Sequence, residues 1–140
     1  MPSRFNVRVY GICIRDGALL VNEEIIKGRR VIKLPGGGLD PGEGTRDGLK
    51  REWMEELGLE ITVGAHFYTT DFFQQSAWDD SQVISIYYRV EVPVDCVLVN
   101  AEPNERTYWL PLAEVSAETF TLPIDQVVGR MISDSGLGAE

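Results

Sequence analysis

A switch of hydrophobic period near residue 35 constrains this chain more than any other feature. Upstream, Phe5, Val7, Val9, Gly11 and Cys13 alternate with Asn6, Arg8, Tyr10 and Ile12, the period of two expected of a strand. Asp16-Gly17 reads as a tight turn into a second strand over Ala18–Asn22. Val31–Leu34 is a short strand that stops at Pro35 and the triplet Gly36-Gly37-Gly38. The period then becomes helical. Thr45 can cap a helix running to about Leu57, with Gly58 as its C-terminal stop. Gly48 inside that helix weakens local propensity by ~1 kcal/mol, so tertiary packing has to hold the turn in place. Strands resume at Ile61–Thr70 and Val83–Val92, with the polar, aromatic-tipped stretch Gln74–Asp80 between them. A further strand is expected near Thr107–Leu110 and a second helix over Ile124–Ser133. Strands on both sides of a helix in one compact chain predict an α/β fold, with a mixed β-sheet covered by helices on both faces.

At 140 residues the chain has the usual size of one domain with a continuous core. Its net charge of −9, from 22 acidic against 13 basic side chains, should repel nucleic acid polymers and anionic membrane. An anionic substrate would need that field reversed locally, and bound cations are the obvious means. Cys13, Cys96 and the single His66 cannot supply four tetrahedral zinc ligands, and nothing suggests a disulfide framework. No segment approaches the roughly 18 apolar residues that span a bilayer. The opening residues Met1–Asn6 lack the apolar core of a signal peptide. The expectation is a cytoplasmic protein without a membrane partner.

The chemistry is concentrated between Gly37 and Leu59. At about 100° per residue, Glu52, Glu55 and Glu56 fall within roughly 100° of one another on the helix. Leu49, Trp53 and Leu57 fill an adjacent arc that can anchor it to the sheet. Carboxylates at these spacings repel and destabilise a helix, but a hard cation such as Mg²⁺ prefers oxygen ligands and turns the cost into an advantage. An arbitrary helix of this kind is more often a solvated acidic face. Here the neighbours argue otherwise. Pro35 and the glycines form a loop whose backbone can approach a ligand closely, Glu43 adds a carboxylate before the helix, and Arg51 offers a planar fork for carboxylate or phosphate.

Gly37, Glu43, Arg51, Glu52, Trp53, Glu55, Glu56, Gly58 and Leu59 together match the Nudix signature. That signature runs Gly, five residues, Glu, seven residues, then Arg-Glu-hydrophobic-x-Glu-Glu-x-Gly-hydrophobic. A chance match in a chain of this length is on the order of one in ten million. Trp53 stands where the family usually has an aliphatic residue, and its bulk should shift the helix on the sheet without removing a ligand. The likeness extends more loosely to the flanking Leu34–Gly38 and to Trp109-Leu110-Pro111-Leu112. The resemblance implies one Nudix domain over residues 1–140, an α/β/α sandwich with a mixed sheet, the last six or so residues being mobile.

It also implies hydrolysis of the pyrophosphate linkage in a nucleoside diphosphate joined to another moiety, with Mg²⁺ or Mn²⁺. Glu52, Glu55 and Glu56 would be the principal metal ligands, assisted by Glu43, and Arg51 would hold the glutamates in place. Gly36, Gly37 and Gly38 would shape the loop beside the pyrophosphate, while Arg8 and Lys33 are strand cations suited to a phosphate cleft. Family members differ in the carboxylate that takes the proton from the attacking water. Glu52 is the first candidate, and Glu105 stands ahead of Glu102 as an added ligand or base from a later loop. Trp78, Phe72 and Phe73 suit base stacking, but aromatic residues in strands more often serve packing, and His66 reads as an ordinary strand residue. Gln74 occupies the place of the proline that marks ADP-ribose specificity. Gln75, Ser76 and Ala77 fill the window of the tyrosine that marks dinucleoside polyphosphates. Substrates therefore stay open between nucleotide sugars such as ADP-ribose, (deoxy)nucleoside triphosphates and other small conjugates. A homodimer is expected from the family habit. The competing reading is a Nudix-like module that binds a nucleotide without catalysis, although such modules typically lose motif carboxylates that this chain keeps.

Overall fold

The computed structural model describes residues 1–100 and 103–136. The elements run β1 (Arg4–Ile12), β2 (Ile14–Arg15), β3 (Ala18–Ile26), β4 (Arg29–Lys33), β5 (Gly36–Gly38), α1 (Thr45–Leu57), β6 (Thr62–Thr69), β7 (Ser81–Glu91), β8 (Glu105–Pro111) and α2 (Pro123–Ser135). The class is the mixed α/β one expected. The strands divide between two four-stranded sheets, one in each of two compact units.

The first unit, Met1–Ile12 with Gly36–Cys96, holds a mixed sheet of order β5-β1-β7-β6. Strand β1 runs parallel to β7 and antiparallel to β5. The glycine triplet expected as a loop is thus a short strand, with Gly36, Gly37 and Gly38 opposite Tyr10, Val9 and Arg8. Only glycine can open it. At φ +153° a Cβ on Gly36 would lie 2.0 Å from the Val9 carbonyl oxygen.

Helix α1 ends where the sequence said it would, on Gly58 in the left-handed region, whose N–H reaches the Met54 carbonyl at 3.0 Å. Its start differs. Gly44 is the N-cap, and Thr45 is the first helical residue, its Oγ1 hydrogen-bonded to the Tyr88 hydroxyl at 2.7 Å. Gly48, Leu49 and Trp53 are buried, whereas Leu57 is only half-buried. Gly48 answers a packing need, since a Cβ there would stand 2.5 Å from Leu39 Cδ1. The Trp53 ring lies over Gly11 of β1, where an added Cβ would come within 2.6 Å of Cζ2. The large residue at position 53 is accommodated by a missing side chain on the sheet.

In the second unit, Cys13–Pro35 with residues from Val97 on, β3 is the centre of an antiparallel sheet. It pairs with β2, β4 and β8. Both tight turns, Asp16-Gly17 and Lys27-Gly28, have positive φ at each central residue, the twist that suits a two-residue hairpin. The second turn lengthens β3 beyond the expected Asn22. Leu19, Leu20, Val21, Val31, Leu34 and Val128 are fully buried in this unit. Pro123 opens α2 in its first turn, and Ile124, Val128 and Ile132 form its buried stripe. Cys13 is buried, and Cys96 is half-buried in the turn after β7. The expected mobile tail falls largely on residues 137–140, outside the described residues. Among the described residues no helix is long and apolar enough to cross a membrane.

Candidate active site

Strand β5 and helix α1 bring the motif side chains of the first unit together around one guanidinium. Arg51 grips Glu43 with both arms of its fork, Nε to Oε2 at 3.0 Å and Nη2 to Oε1 at 2.7 Å. Nη2 also donates to the Gly38 carbonyl at 2.9 Å, and Nη1 reaches Glu52 at 3.0 Å and Glu55 at 3.2 Å. One arginine therefore links the glycine strand, the residue before the helix and two successive helix turns. Hydrogen bonds from Arg51, with one from the Asp40 N–H, hold the Glu43 carboxyl down to about 2. The same contact with Glu43 raises the Arg51 pKa still further above its ordinary value.

Gly37 does a different job from Gly36. Its backbone is unstrained, but a Cβ would lie 2.5 Å from Glu52 Oε2. The bare backbone is a cradle for that carboxylate. Glu52 is mostly covered, with its side chain 12% exposed, whereas Glu55 is 61% exposed and Glu56 also faces solvent.

Arg8, on β1 opposite Gly38, belongs to the same unit. Its Nε donates to the Tyr10 hydroxyl at 2.5 Å and its guanidinium lies 5.7 Å from that ring's centre. Burial opposes the cation, but the pull of Tyr10 and the negative field of Glu52 and Glu56 outweigh it and raise its pKa. Tyr10 stacks on Tyr87 at 5.3 Å. The sequence reading missed Tyr10, although a period of two already put it on the face of Arg8.

Lys33 and Glu105 lie in the second unit. The Lys33 ammonium pairs with Glu24 at 2.6 Å. Glu105 begins β8, and its Oε1 accepts a hydrogen bond from Asn22 Nδ2 at 3.0 Å. Asn22 was also missed, and its only signal is a polar residue closing the apolar run Ala18–Val21. Glu102 lies outside the described residues. His66 is exposed and hydrogen-bonded to Thr69 at 2.8 Å, and Phe72 and Phe73 are 40% and 56% exposed.

The donor set can be tested against a hard divalent cation. Carboxylate oxygens are the right chemistry, and the Gly37 cradle brings one of them against bare backbone. As arranged, Glu43, Glu52 and Glu55 converge on Arg51. Among the described residues no three acidic, histidine or cysteine side chains are grouped to hold an ion. The residues fit such an ion by type, and taking one up would exchange contacts with Arg51 for contacts with it.

The NUDIX domain family model matches residues 2–130. The nucleoside triphosphatase NudI of Enterobacter sp. (strain 638) is 30% identical over 107 residues, covering 74% of this chain and 75% of that protein. The fold is similar to that of the MutT protein of Methanosarcina mazei Go1, with a TM-score of 0.74 at 20% identity over 98% of this chain and 99% of that one. It is also similar to a NUDIX hydrolase of Nitrosomonas europaea, with a TM-score of 0.73 at 21% identity over 95% and 90% of the two chains. The chain belongs to the Nudix family. It is a Nudix pyrophosphohydrolase.

Proposed function

We propose that this enzyme hydrolyses the pyrophosphate linkage of a nucleoside triphosphate, using Mg²⁺ or Mn²⁺ held by Glu52, Glu55 and Glu56 with help from Glu43. The observation that carries this reading is the Arg51 hub, which ties Glu43, Glu52 and Glu55 to the Gly38 carbonyl. The 30% identity to a nucleoside triphosphatase favours triphosphates over nucleotide sugars such as ADP-ribose. When bound, the ion neutralises the diphosphate and lowers the pKa of a coordinated water. Arg51 keeps the carboxylates gathered before substrate arrives. Gly36, Gly37 and Gly38 let the backbone approach the pyrophosphate, and Arg8, held by Tyr10, offers its fork to a phosphate oxygen. Lys33 is a second candidate for that charge. A carboxylate takes the proton as the water oxygen bonds to phosphorus and the bridging P–O bond breaks. Glu52 is the first candidate for that base and Glu105 the second.

The whole chain is proposed to act as one Nudix domain, because the family model runs across both units. A cytoplasmic setting belongs to the same reading and suits Cys13 and Cys96 kept as thiols rather than joined in a disulfide. A homodimer is proposed too, with sedimentation as its check. The net charge of −9 argues against nucleic acid polymers as partners.

The test is phosphate release, coupled to a pyrophosphatase and a phosphatase, over nucleoside triphosphates, ADP-ribose and other conjugates with Mg²⁺, Mn²⁺ or EDTA. Metal-dependent turnover of triphosphates, lost in Glu56→Gln with the fold intact, is expected. Preference for a nucleotide sugar would replace the substrate assignment. Full activity in Glu56→Gln would remove the metal site, and silence across the panel would favour a non-catalytic binding module.

A further inference from the structure

Two guanidinium groups meet at Gly38, the last residue of β5, and they are used differently. Arg51 donates to its carbonyl at 2.9 Å and spends the rest of its fork on Glu43, Glu52 and Glu55. Arg8 stands opposite Gly38 on β1 and makes one hydrogen bond, from Nε to the Tyr10 hydroxyl at 2.5 Å. Among the described residues its Nη1 and Nη2 donate to nothing and join no ion pair. An arginine kept for cohesion would close its fork on a carboxylate, as Arg51 does. Arg8 leaves both terminal nitrogens open.

The open end has room beside it. A Cβ on Gly38 would meet a single atom within 4 Å beyond its chain neighbours, Arg8 Nη1 at 3.7 Å. Bare backbone therefore borders the guanidinium where any other residue would place a methyl group. At Gly37 the missing Cβ makes room for the Glu52 carboxylate instead. Successive residues of a strand face opposite sides, so β5 carries the acid on one side and the cation on the other. The field of Glu52 and Glu56 still reaches Arg8.

Tyr10 fixes the direction of the fork. Its side chain is 6% exposed and stacked on Tyr87 at 5.3 Å, so the hydroxyl is a fixed anchor. An arginine tethered at Nε presents Nη1 and Nη2 end-on, the pair of donors that matches two oxygens of one phosphate. Holding the side chain beforehand also removes the cost of ordering it on binding.

We propose that Tyr10 is a positioning residue for Arg8, aiming Nη1 and Nη2 over the bare backbone of Gly38 at two oxygens of one substrate phosphate. This rests on the reading above in which Arg8 binds phosphate.

The experiment compares Tyr10→Phe, Arg8→Met, their double variant and Gly38→Ala with the nucleoside triphosphate turned over fastest in the panel. Nucleotide products are separated by chromatography, giving kcat, KM and the inhibition constant of added inorganic pyrophosphate, alongside Tm. Tyr10→Phe keeps the ring on Tyr87, so Tm should stay within about 5 °C. KM and the inhibition constant should both rise roughly 3–10-fold, the effect of having to order one long side chain on binding. The kcat should stay within about twofold, as for a contact made equally in ground and transition states. Arg8→Met keeps an unbranched stem, and both constants should rise more than ~10-fold. The double variant should match Arg8→Met, because the hydroxyl acts only through the guanidinium. Gly38→Ala adds a methyl at ordinary contact distance from Nη1, so it should fold normally and still raise both constants. Wild-type constants in Tyr10→Phe or Gly38→Ala, losses that multiply in the double variant, or a loss confined to kcat would overturn the proposal. If Arg8→Met matches wild type while Glu56→Gln is dead, this inference fails and the motif site stands. If Glu56→Gln is fully active, the proposed function itself has failed.

Discussion

Replacing Gly11 by alanine tests how α1 is seated on the mixed sheet. The added methyl would lie 2.6 Å from Trp53 Cζ2, 3.0 Å from Cε2 and 3.0 Å from Val90 Cγ2. Contact under 3.0 Å is not tolerated, and the obstacle is a rigid indole with no exposed surface that has nowhere to turn. Overpacking of this kind costs about 1–3 kcal/mol, while alanine regains roughly 0.5–1 kcal/mol of strand propensity over glycine. A rigid obstacle belongs at the upper end, leaving a net loss of about 1–2 kcal/mol. For a chain of this size that is a drop of roughly 4–8 °C in Tm, read by circular dichroism. Trp53→Leu alone opens a cavity and should cost about 2–4 kcal/mol. In the double variant the new methyl enters the vacated space, so the combined loss should undershoot the sum by at least ~1 kcal/mol. Additivity within ~0.5 kcal/mol, or an unchanged Tm in Gly11→Ala, would refute the packing argument.

Other perturbations address the site and the acid limit of stability. Gly37→Ala puts a Cβ 2.5 Å from the Glu52 carboxylate, so kcat should fall at least ~10-fold while the unfolding transition stays close to wild type. Arg51→Lys keeps the charge but loses the fork on Glu43 and the bond to Gly38. Steady-state kinetics should show a fall of roughly 10–100-fold in kcat, and wild-type turnover would deny the hub its role. Ser81 donates to Asp79 through its hydroxyl and backbone N–H, which lowers that carboxyl's pKa. The stabilisation is complete above the ordinary aspartate value and is lost as pH falls through the lowered one. Asp79→Asn should therefore flatten the loss of Tm below pH ~4, and an unchanged acid profile would count against the Ser81 contacts.

The helix and its motif were readable because each depended on local signals, an acidic face at helical spacing and a glycine stop at 58. The glycine triplet was not. Strand propensity resides in side chains that pack on a pleated surface, and Gly36–Gly38 have none, so only pairing with β1 reveals them as β5. The cap was misplaced by one residue because Thr45 has a cap's hydroxyl, yet Tyr88, 43 residues away, takes it. Lys27-Gly28 passed unnoticed because lysine with positive φ carries no turn signature. Within the site, residue types were legible, but most partnerships were not. The resemblance implied that Arg51 would hold the glutamates, but nothing in the order of residues says that Tyr10 would hold Arg8 or that Asn22 would reach Glu105 across the sheet.

An acid-dense helix beside a glycine strand looks like a structure that needs an ion before it can form. The Arg51 contacts make the sequence of events different. The chain carries its own counter-charge, so chelator should leave the folded state intact even where it abolishes turnover. On the function proposed above, an incoming ion would compete with a tethered guanidinium for the same oxygens on a finished scaffold. Such competition would weaken the apparent affinity and make loading reversible. Activity would then follow the free concentration of the ion rather than the history of the protein.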